Sequence, residues 1–217
     1  MKNKIAIFYH LMQAPGWERM YQDQMHTLYS SGLMSRCEFV NIGVNGNENL
    51  FYTPPRAIVN INSFQPSEYD TLKRIEKFSL DTLCNYKILY FHSKGMSRTN
   101  HLNSQWWRLY MEHYLIREWK KCIRFLDKYD CAGASYFEDT YVGFYPHFSG
   151  NFWWANSNYI KKLDTSYLSQ ENRQKTEFWI CSNFNKNKPK IKSLSPFTSC
   201  HYANAHTPDK YIDLGNS

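Results

Sequence analysis

Apolar residues recur along the chain in two rhythms, short unbroken runs and runs spaced three to four residues apart. The alternation of the two predicts an α/β fold. Lys-Ile-Ala-Ile-Phe-Tyr over residues 4–9 is an apolar run of the length of a buried strand, and it gives way to His10 and Gln13 before Pro15 and Gly16. Residues 17–29 then place Trp17, Met20, Tyr21, Gln24, Met25 and Leu28 at helical spacing, with Gly32 as the stop. Further strands are predicted over 37–42 and 57–61, with a loop over 45–55 between them. Residues 67–78 read as a helix: Pro66 and Ser67 open it, Asp70 follows Ser67 as in a capping box, and Tyr69, Leu72, Ile75 and Phe78 share a face. The run Ile88-Leu89-Tyr90-Phe91 is the next buried strand, and it stops abruptly at His92-Ser93-Lys94-Gly95.

The second half is more mixed. A long helix is predicted over 104–127, with Trp106, Leu109, Tyr110, His113, Ile116, Lys120 and Ile123 along one side. Residues 131–135 are small and apolar, suiting a strand packed closely on a neighbour. Residues 148–155, Phe-Ser-Gly-Asn-Phe-Trp-Trp-Ala, read as a strand with a glycine near its start. Short helices follow, one capped by Asn156 or Ser157 and running to 163, another over 173–181, and the tail after Pro189 is loop-rich. A length of 217 residues suits one domain over 1–217, with a nucleotide-binding half over about 1–100 and an acceptor-binding half over about 101–217.

Composition sharpens this picture in two places. Aromatic residues make up 18% of the chain, including 17 Tyr and 7 Trp, and such rings suit a core, a sugar face or a base. The formal charge of +7 points to an anionic partner: nucleic acid, an acidic membrane surface or a phosphorylated small molecule. The densest cations, Lys186, Lys188, Lys190 and Lys192, fit a solvated loop or edge strand, and a peripheral membrane contact stays open. Six dispersed cysteines form no Cys-x-x-Cys pair, and neither a signal peptide nor a membrane span is legible, so a cytoplasmic protein with reduced thiols is expected.

Candidate chemistry gathers at strand ends. No Gly-x-Gly-x-x-Gly follows the first strand and no P-loop is present, which argues against a dinucleotide oxidoreductase and a P-loop kinase. His92 and Lys94 lie two apart where a strand ends, Gly95 lets the backbone approach a ligand, and Arg98 adds a third cation. Fixed cations there stabilise the charge that develops on a departing diphosphate without a metal. Tyr9 and His10, at the end of the first strand, are the nucleotide-binding candidates.

The segments Tyr90-Phe91-His92-Ser93-Lys94-Gly95, Trp107-Arg108 and Gly150 to Ala155 follow one another in an order that resembles nucleotide-sugar-dependent glycosyltransferases of the GT-A type. Within these, the chain looks most like rhamnan-synthesis-protein-F-like enzymes and small glycosyltransferases of bacterial polysaccharide clusters and large algal viruses. The resemblance spans about residues 5 to 180. It implies a UDP- or dTDP-sugar donor and a glycan acceptor, with no nucleic acid partner. Ordinary members end the equivalent strand in Asp-x-Asp, which holds Mn²⁺ or Mg²⁺; here His92-Ser93-Lys94 stands there, so no metal ligand is assigned. Glu138-Asp139 offers a second acidic position for a metal or the acceptor. For the carboxylate that takes the acceptor's proton, Glu177 is the first candidate and Asp139 the second. Ser149, Gly150 and Asn151 would hydrogen-bond sugar hydroxyls. Trp153 and Trp154 alternate across a strand, so one of them can face the site and stack on a sugar ring. A different class of function, a non-catalytic carbohydrate- or RNA-binding module, fits the same basic, aromatic composition.

Overall fold

The structure, a computed structural model, describes residues 3–46, 49–63, 67–93, 102–138, 145–183, 188–197 and 204–212. Strand and helix alternate through the first half: β1 (Lys4–Met12), α1 (Trp17–Ser30), β2 (Phe39–Asn45), β3 (Ala57–Ile61), α2 (Tyr69–Asp81) and β4 (Tyr86–His92). Then come α3 (Leu102–Glu112), α4 (Trp119–Phe125), β5 (Cys131–Gly133), β6 (Tyr136–Phe137), β7 (His147–Phe148), β8 (Trp153–Asn156), α5 (Ser157–Ile160), α6 (Arg173–Glu177) and β9 (Ile191–Ser193). Among the described residues, seven strands form one sheet in the order β3-β2-β1-β4-β8-β5-β9. The first four run parallel, β8 is antiparallel to both β4 and β5, and β5 runs parallel to β9. The fold is therefore α/β, with a mixed, mostly parallel sheet flanked by helices.

The apolar runs of β1 and β4 follow from their central position, which buries both faces. Ile5, Ile7, Tyr9 and Leu11 point into a core shared with α1, α3 and α4, while Ala6 and Phe8 point into a second core with α2 and α5. Leaving β1, the chain winds outward to β2 and β3, then returns to β4 on the opposite side of β1. The C-terminal ends of β1 and β4 are thus the switch point of the sheet, where the connections leave in opposite directions; in open α/β sheets ligands bind outside the strand ends at such points.

Two predicted elements are broken. The helix expected over 104–127 divides at a wide turn, His113–Arg117, between α3 and α4. The adjacent residues Leu115 and Ile116 are both fully buried there, and the wider turn aims both inward where a regular helix would turn one away. The strand expected over 148–155 divides into β7 and β8. Gly150 and Asn151 take φ of 88° and 53°, which reverses the chain, and a Cβ on Gly150 would stand 2.5 Å from Met111 Sδ. The small residues of β5 do admit a neighbour closely, since a Cβ on Gly133 would meet the Phe148 ring at 2.3 Å. In the tail, β9 adds an edge strand: Lys190 N donates to Asp130 Oδ2 at 2.8 Å, and Lys192 Nζ lies 5.1 Å from the centre of the Phe125 ring. Lys186 lies outside the described residues. No described helix is long and apolar enough to cross a membrane.

Candidate functional site

At the switch point His10 and His92 are register partners at the ends of β1 and β4. Because side chains alternate along a strand, both share a face with Tyr90, the face covered by α2. Glu68, just ahead of α2, reaches into this group. Tyr90 Oη donates to Glu68 Oε2 at 2.6 Å, Asn151 Nδ2 donates to the same oxygen at 2.7 Å, and His92 Nε2 stands 3.8 Å from Oε1. His92 Nε2 faces the Gly150 carbonyl at 2.9 Å, and a ring nitrogen facing a carbonyl must carry the proton and donate. Glu68 and His92 together pin the Gly150–Asn151 turn, with Trp153 Nε1 donating to Asn151 Oδ1 at 3.0 Å. A non-glycine residue in the left-handed region is strained, and such strain persists only where neighbours fix it.

Charges follow from this packing. Burial alone would raise the Glu68 carboxyl; the charges of His92 and His10, the Tyr90 hydroxyl and Arg173 outweigh it and bring the pKa down to about 2, so Glu68 is an anion. The positive end of α2 acts in the same direction. The Tyr90 hydroxyl is pushed well up, first by burial and then by the Glu68 charge it donates to. Burial lowers His10 to about 3, with His92, Arg173 and Arg74 adding to the effect against the opposing pull of Glu68. Its neighbours agree with a neutral ring. Arg74 Nη2 donates to Thr71 Oγ1 at 3.3 Å, leaving the hydroxyl to donate to His10 Nδ1 at 3.1 Å. Arg74 also donates to Asn62, whose Nδ2 bonds Asn45 Oδ1 at 2.7 Å.

On the opposite face of the same strands lies a second polar group. Tyr9 Oη donates to Gln24 Oε1 at 2.7 Å, and Gln24 Nε2 donates to Glu112 Oε1 at 2.8 Å and to the His92 carbonyl at 3.3 Å. Arg108 Nη1 closes the group on Glu112 Oε1 at 2.9 Å, with both side chains buried. The ends of β1 and β4 are tied together above it, since Ser93 N donates to His10 O and Met12 N donates to Ser93 Oγ at 2.7 Å.

Several expected site residues sit elsewhere than a ligand would need. Tyr9 is fully buried on the α1 face, 4.5 Å from Phe91 and 6.0 Å from Tyr21 between ring centres, so it is a core residue and not a nucleotide contact. His92 is committed to Gly150 and Glu68, where direct contact with a diphosphate was expected. Trp153 and Trp154 do fall on opposite faces of β8, and both are completely buried, so neither offers a ring to a sugar. Gly150 and Asn151 are likewise buried, whereas Ser149 is half-buried and donates its N–H to Ser135 O. Lys94, Gly95, Arg98 and Asp139 lie outside the described residues. Glu138 is exposed and paired with Lys188 at 2.6 Å. Glu177 is partly exposed at the end of α6, 4.0 Å from Arg173 Nε, and its charge is among those that raise Tyr90.

The sequence offers Glu68 no signal beyond its place beside Ser67, and the acid expected to matter at this helix start is Asp70, which lies in the first turn. Ser67 Oγ does accept from Tyr69 N at 3.1 Å, which leaves the next side chain to turn inward. Among the described residues no group of three or more His, Cys, Asp or Glu is arranged to hold a metal ion. Glu68 suits a divalent ion poorly, since one oxygen already accepts two hydrogen bonds and the other faces an imidazole N–H.

Of solved structures, that of Rv0371c from Mycobacterium tuberculosis H37Rv is similar at 9% identity and a TM-score of 0.43, over 100% of both chains. No curated protein matches the sequence. The model of a family described as a domain of unknown function, DUF8361, matches residues 19–208, from the first turn of α1 to beyond β9. The chain belongs to the DUF8361 family.

Proposed function

We propose that the chain is a glycosyltransferase that moves a sugar from a nucleoside diphosphate donor to a glycan acceptor. The observation that carries this reading is the meeting of β1 and β4 at the switch point, with His10, Ser93, Glu68 and the Arg74 network gathered at their C-terminal ends. Crevices at such points bind nucleotides and other polar ligands, because strand ends present loops and backbone N–H groups there. The cations that the sequence offers for the diphosphate, Lys94 and Arg98, come one and five residues after Ser93. Glu177 is a described carboxylate on the same side of the sheet that stands partly open to solvent, its charge among those that raise Tyr90, and in this reading it takes the proton of the attacking hydroxyl. In this reading Glu68 and His92 do not touch the donor. They hold the Gly150–Asn151 turn and the end of β4 in place for the residues that do.

Thermal denaturation in the presence of UDP, dTDP or GDP, each with and without Mn²⁺, tests the reading. A short single-stranded oligonucleotide runs alongside. Stabilisation by a nucleoside diphosphate, followed by sugar release or transfer from its sugar conjugate, is the expected result. Stabilisation by the oligonucleotide and by none of the nucleotides overturns the enzyme and favours a nucleic-acid-binding module.

A further inference from the structure

The two edges of the seven-stranded sheet are finished differently. β9 follows Pro189 and Lys190 and carries Lys192, and proline and lysine on an edge strand discourage another strand from pairing there. β3, at the other edge, has neither, and residues 57–63 contain no charged side chain. Val40 N donates to Arg56 O at 3.2 Å and Asn62 N donates to Val44 O at 2.8 Å, so it is the even-numbered residues of β3 whose backbone bonds β2. The N–H and C=O groups of Val59 and Ile61 therefore point to the open edge, where no described strand pairs with them. Apolar side chains gather there too. Of ten large apolar side chains exposed among the described residues, Phe51, Tyr52, Ile58 and Ile61 fall within residues 51–61, Ile58 at 55% and Ile61 at 42%. Phe51 packs on Trp17 and Tyr21, on the side of the sheet that Ala57 and Val59 also face.

We propose that β3 is a pairing edge for a second copy of this chain, joined antiparallel about a two-fold axis at Val59 so that one sheet runs through both copies. Such an axis sets Val59 opposite Val59 of the partner subunit, and Ile61 opposite Ala57 of the partner subunit. The Val59 pair exchanges N–H and C=O in both directions, and each Ile61 N–H finds an Ala57 carbonyl. The Ala57 N–H is already given to Pro54 O at 3.1 Å, so the Ile61 carbonyl stays with water. Opposing the large Ile61 side chain to the small Ala57 one lets the two backbones close. Charge identifies the occupant. This edge offers an acidic peptide or a nucleic acid no cation, whereas two copies, each at +7, meet here with no like charges opposed. Because the pairing is antiparallel, the C-terminal ends of β1 and β4 in the two copies face opposite ways, separated from the shared edge by β2 and β3. The inference is independent of the glycosyltransferase reading.

Sedimentation velocity over a range of protein concentrations tests the pairing. The proteins are the wild type, Ile58→Lys, Ile61→Lys and Leu83→Lys, the last altering a fully exposed apolar residue outside the edge. The wild type is expected at twice the chain mass. Ile58→Lys and Ile61→Lys each weaken self-association about tenfold or more, as lysines on an edge strand do, while Leu83→Lys leaves it unchanged. A second measurement reads the register without relying on lost association. Ile58→Cys combined with Asn60→Cys sets thiols across a non-hydrogen-bonded pair, with Cα atoms about 4.5 Å apart and within disulfide range, so oxidation by diamide links the two copies. Each single cysteine variant stays at the background that the wild type sets through its exposed Cys84. A wild type at the single-chain mass at every concentration overturns the inference, as does a dimer indifferent to both lysine variants, or a double-cysteine variant that fails to link above background. Far-ultraviolet dichroism establishes that each variant is folded, and if a lysine variant is not, the cross-link alone decides.

Discussion

Each face of the β1–β4 pair sets a buried glutamate near the ends of these strands, Glu112 on one and Glu68 on the other, and the two are neutralised differently. On the α1 face Glu112 Oε1 meets Arg108 Nη1 at 2.9 Å and accepts from Gln24 Nε2 at 2.8 Å. That charge is matched by a charge, and the group ties α1, α3 and the backbone of β4 together. On the α2 face Glu68 is held by the Tyr90 hydroxyl and the Asn151 amide, with the His92 imidazole standing off at 3.8 Å. A matched pair in direct contact largely cancels its own field, while an anion whose hydrogen bonds come from neutral donors and whose charged neighbours stand farther off keeps more of it. The Glu112 side therefore reads as scaffold, while the Glu68 side holds the ends of β1 and β4 and the Gly150–Asn151 turn around a more weakly matched charge.

The same substitution on each face separates these roles. Glu112→Gln strands the Arg108 guanidinium in the core, and breaking a buried pair by removing one partner costs about 3–5 kcal/mol. Urea unfolding midpoints measure it; a cost below about 1 kcal/mol would mean that Arg108 finds water or another partner and that the face is not a closed scaffold. Glu68→Gln strands no cation. Its cost at neutral pH is what the charge adds over a neutral isostere, and for a carboxyl held below its ordinary 4.5 by hydrogen bonds and nearby charge that is of the order of a bond to a charged group, about 1.5–3 kcal/mol. For a depressed carboxyl that contribution is present above the unfolded value of 4.5 and lost as pH falls toward 2. The variant and the wild type should accordingly converge in acid, and a difference that stays constant from pH 7 to pH 3.5 would sink the charged assignment of Glu68.

His10 sharpens the contrast at milder pH. Its folded pKa of about 3 lies below the unfolded 6.5, so the unfolded chain binds the extra proton between those values and the fold loses stability as pH drops through 6.5. Between pH 7 and pH 5 the loss from this one group is about 2 kcal/mol. His10→Gln keeps an acceptor for Thr71 and cannot protonate, so its unfolding midpoints should fall less steeply over the same range. An unchanged slope would show that the ring is already charged or exposed in the folded protein.

The difference between the faces also explains what could be foreseen from sequence. The strands of the parallel half stood out because both of their faces are apolar, and Tyr90, His92 and Ser93 were drawn to notice by the abrupt end of a run. Glu68 was hidden by locality: its partners lie 22 and 83 residues away, and no periodicity reports contacts at that separation. The turn at Gly150–Asn151 did carry a signal, since Ser-Gly followed by Asn is a turn sequence. The apolar run after it outweighed that signal and suggested one continuous strand. The inward direction of Trp153 and Trp154 could not be read at all, because alternation shows that two rings diverge without showing that both faces are covered.

The smallest change worth making is Tyr90→Phe, which removes one oxygen from the Glu68 side and nothing from the other. The ring is fully buried against Trp153, so packing is kept and only the hydrogen bond at 2.6 Å is lost. The hydroxyl lowers the Glu68 pKa, and without it the carboxyl titrates at a higher pH, moving the acid loss of stability upward. A bond to a charged group contributes about 1.5–3 kcal/mol, and with Asn151 still donating to the same oxygen the lower end of that range is expected at pH 7. Unfolding midpoints of Tyr90→Phe at pH 7 and pH 4 check both parts. If the difference between variant and wild type is larger at pH 4 than at pH 7, the hydroxyl is not serving the anion, because a donor to an ionised carboxylate contributes less once that carboxylate takes up a proton.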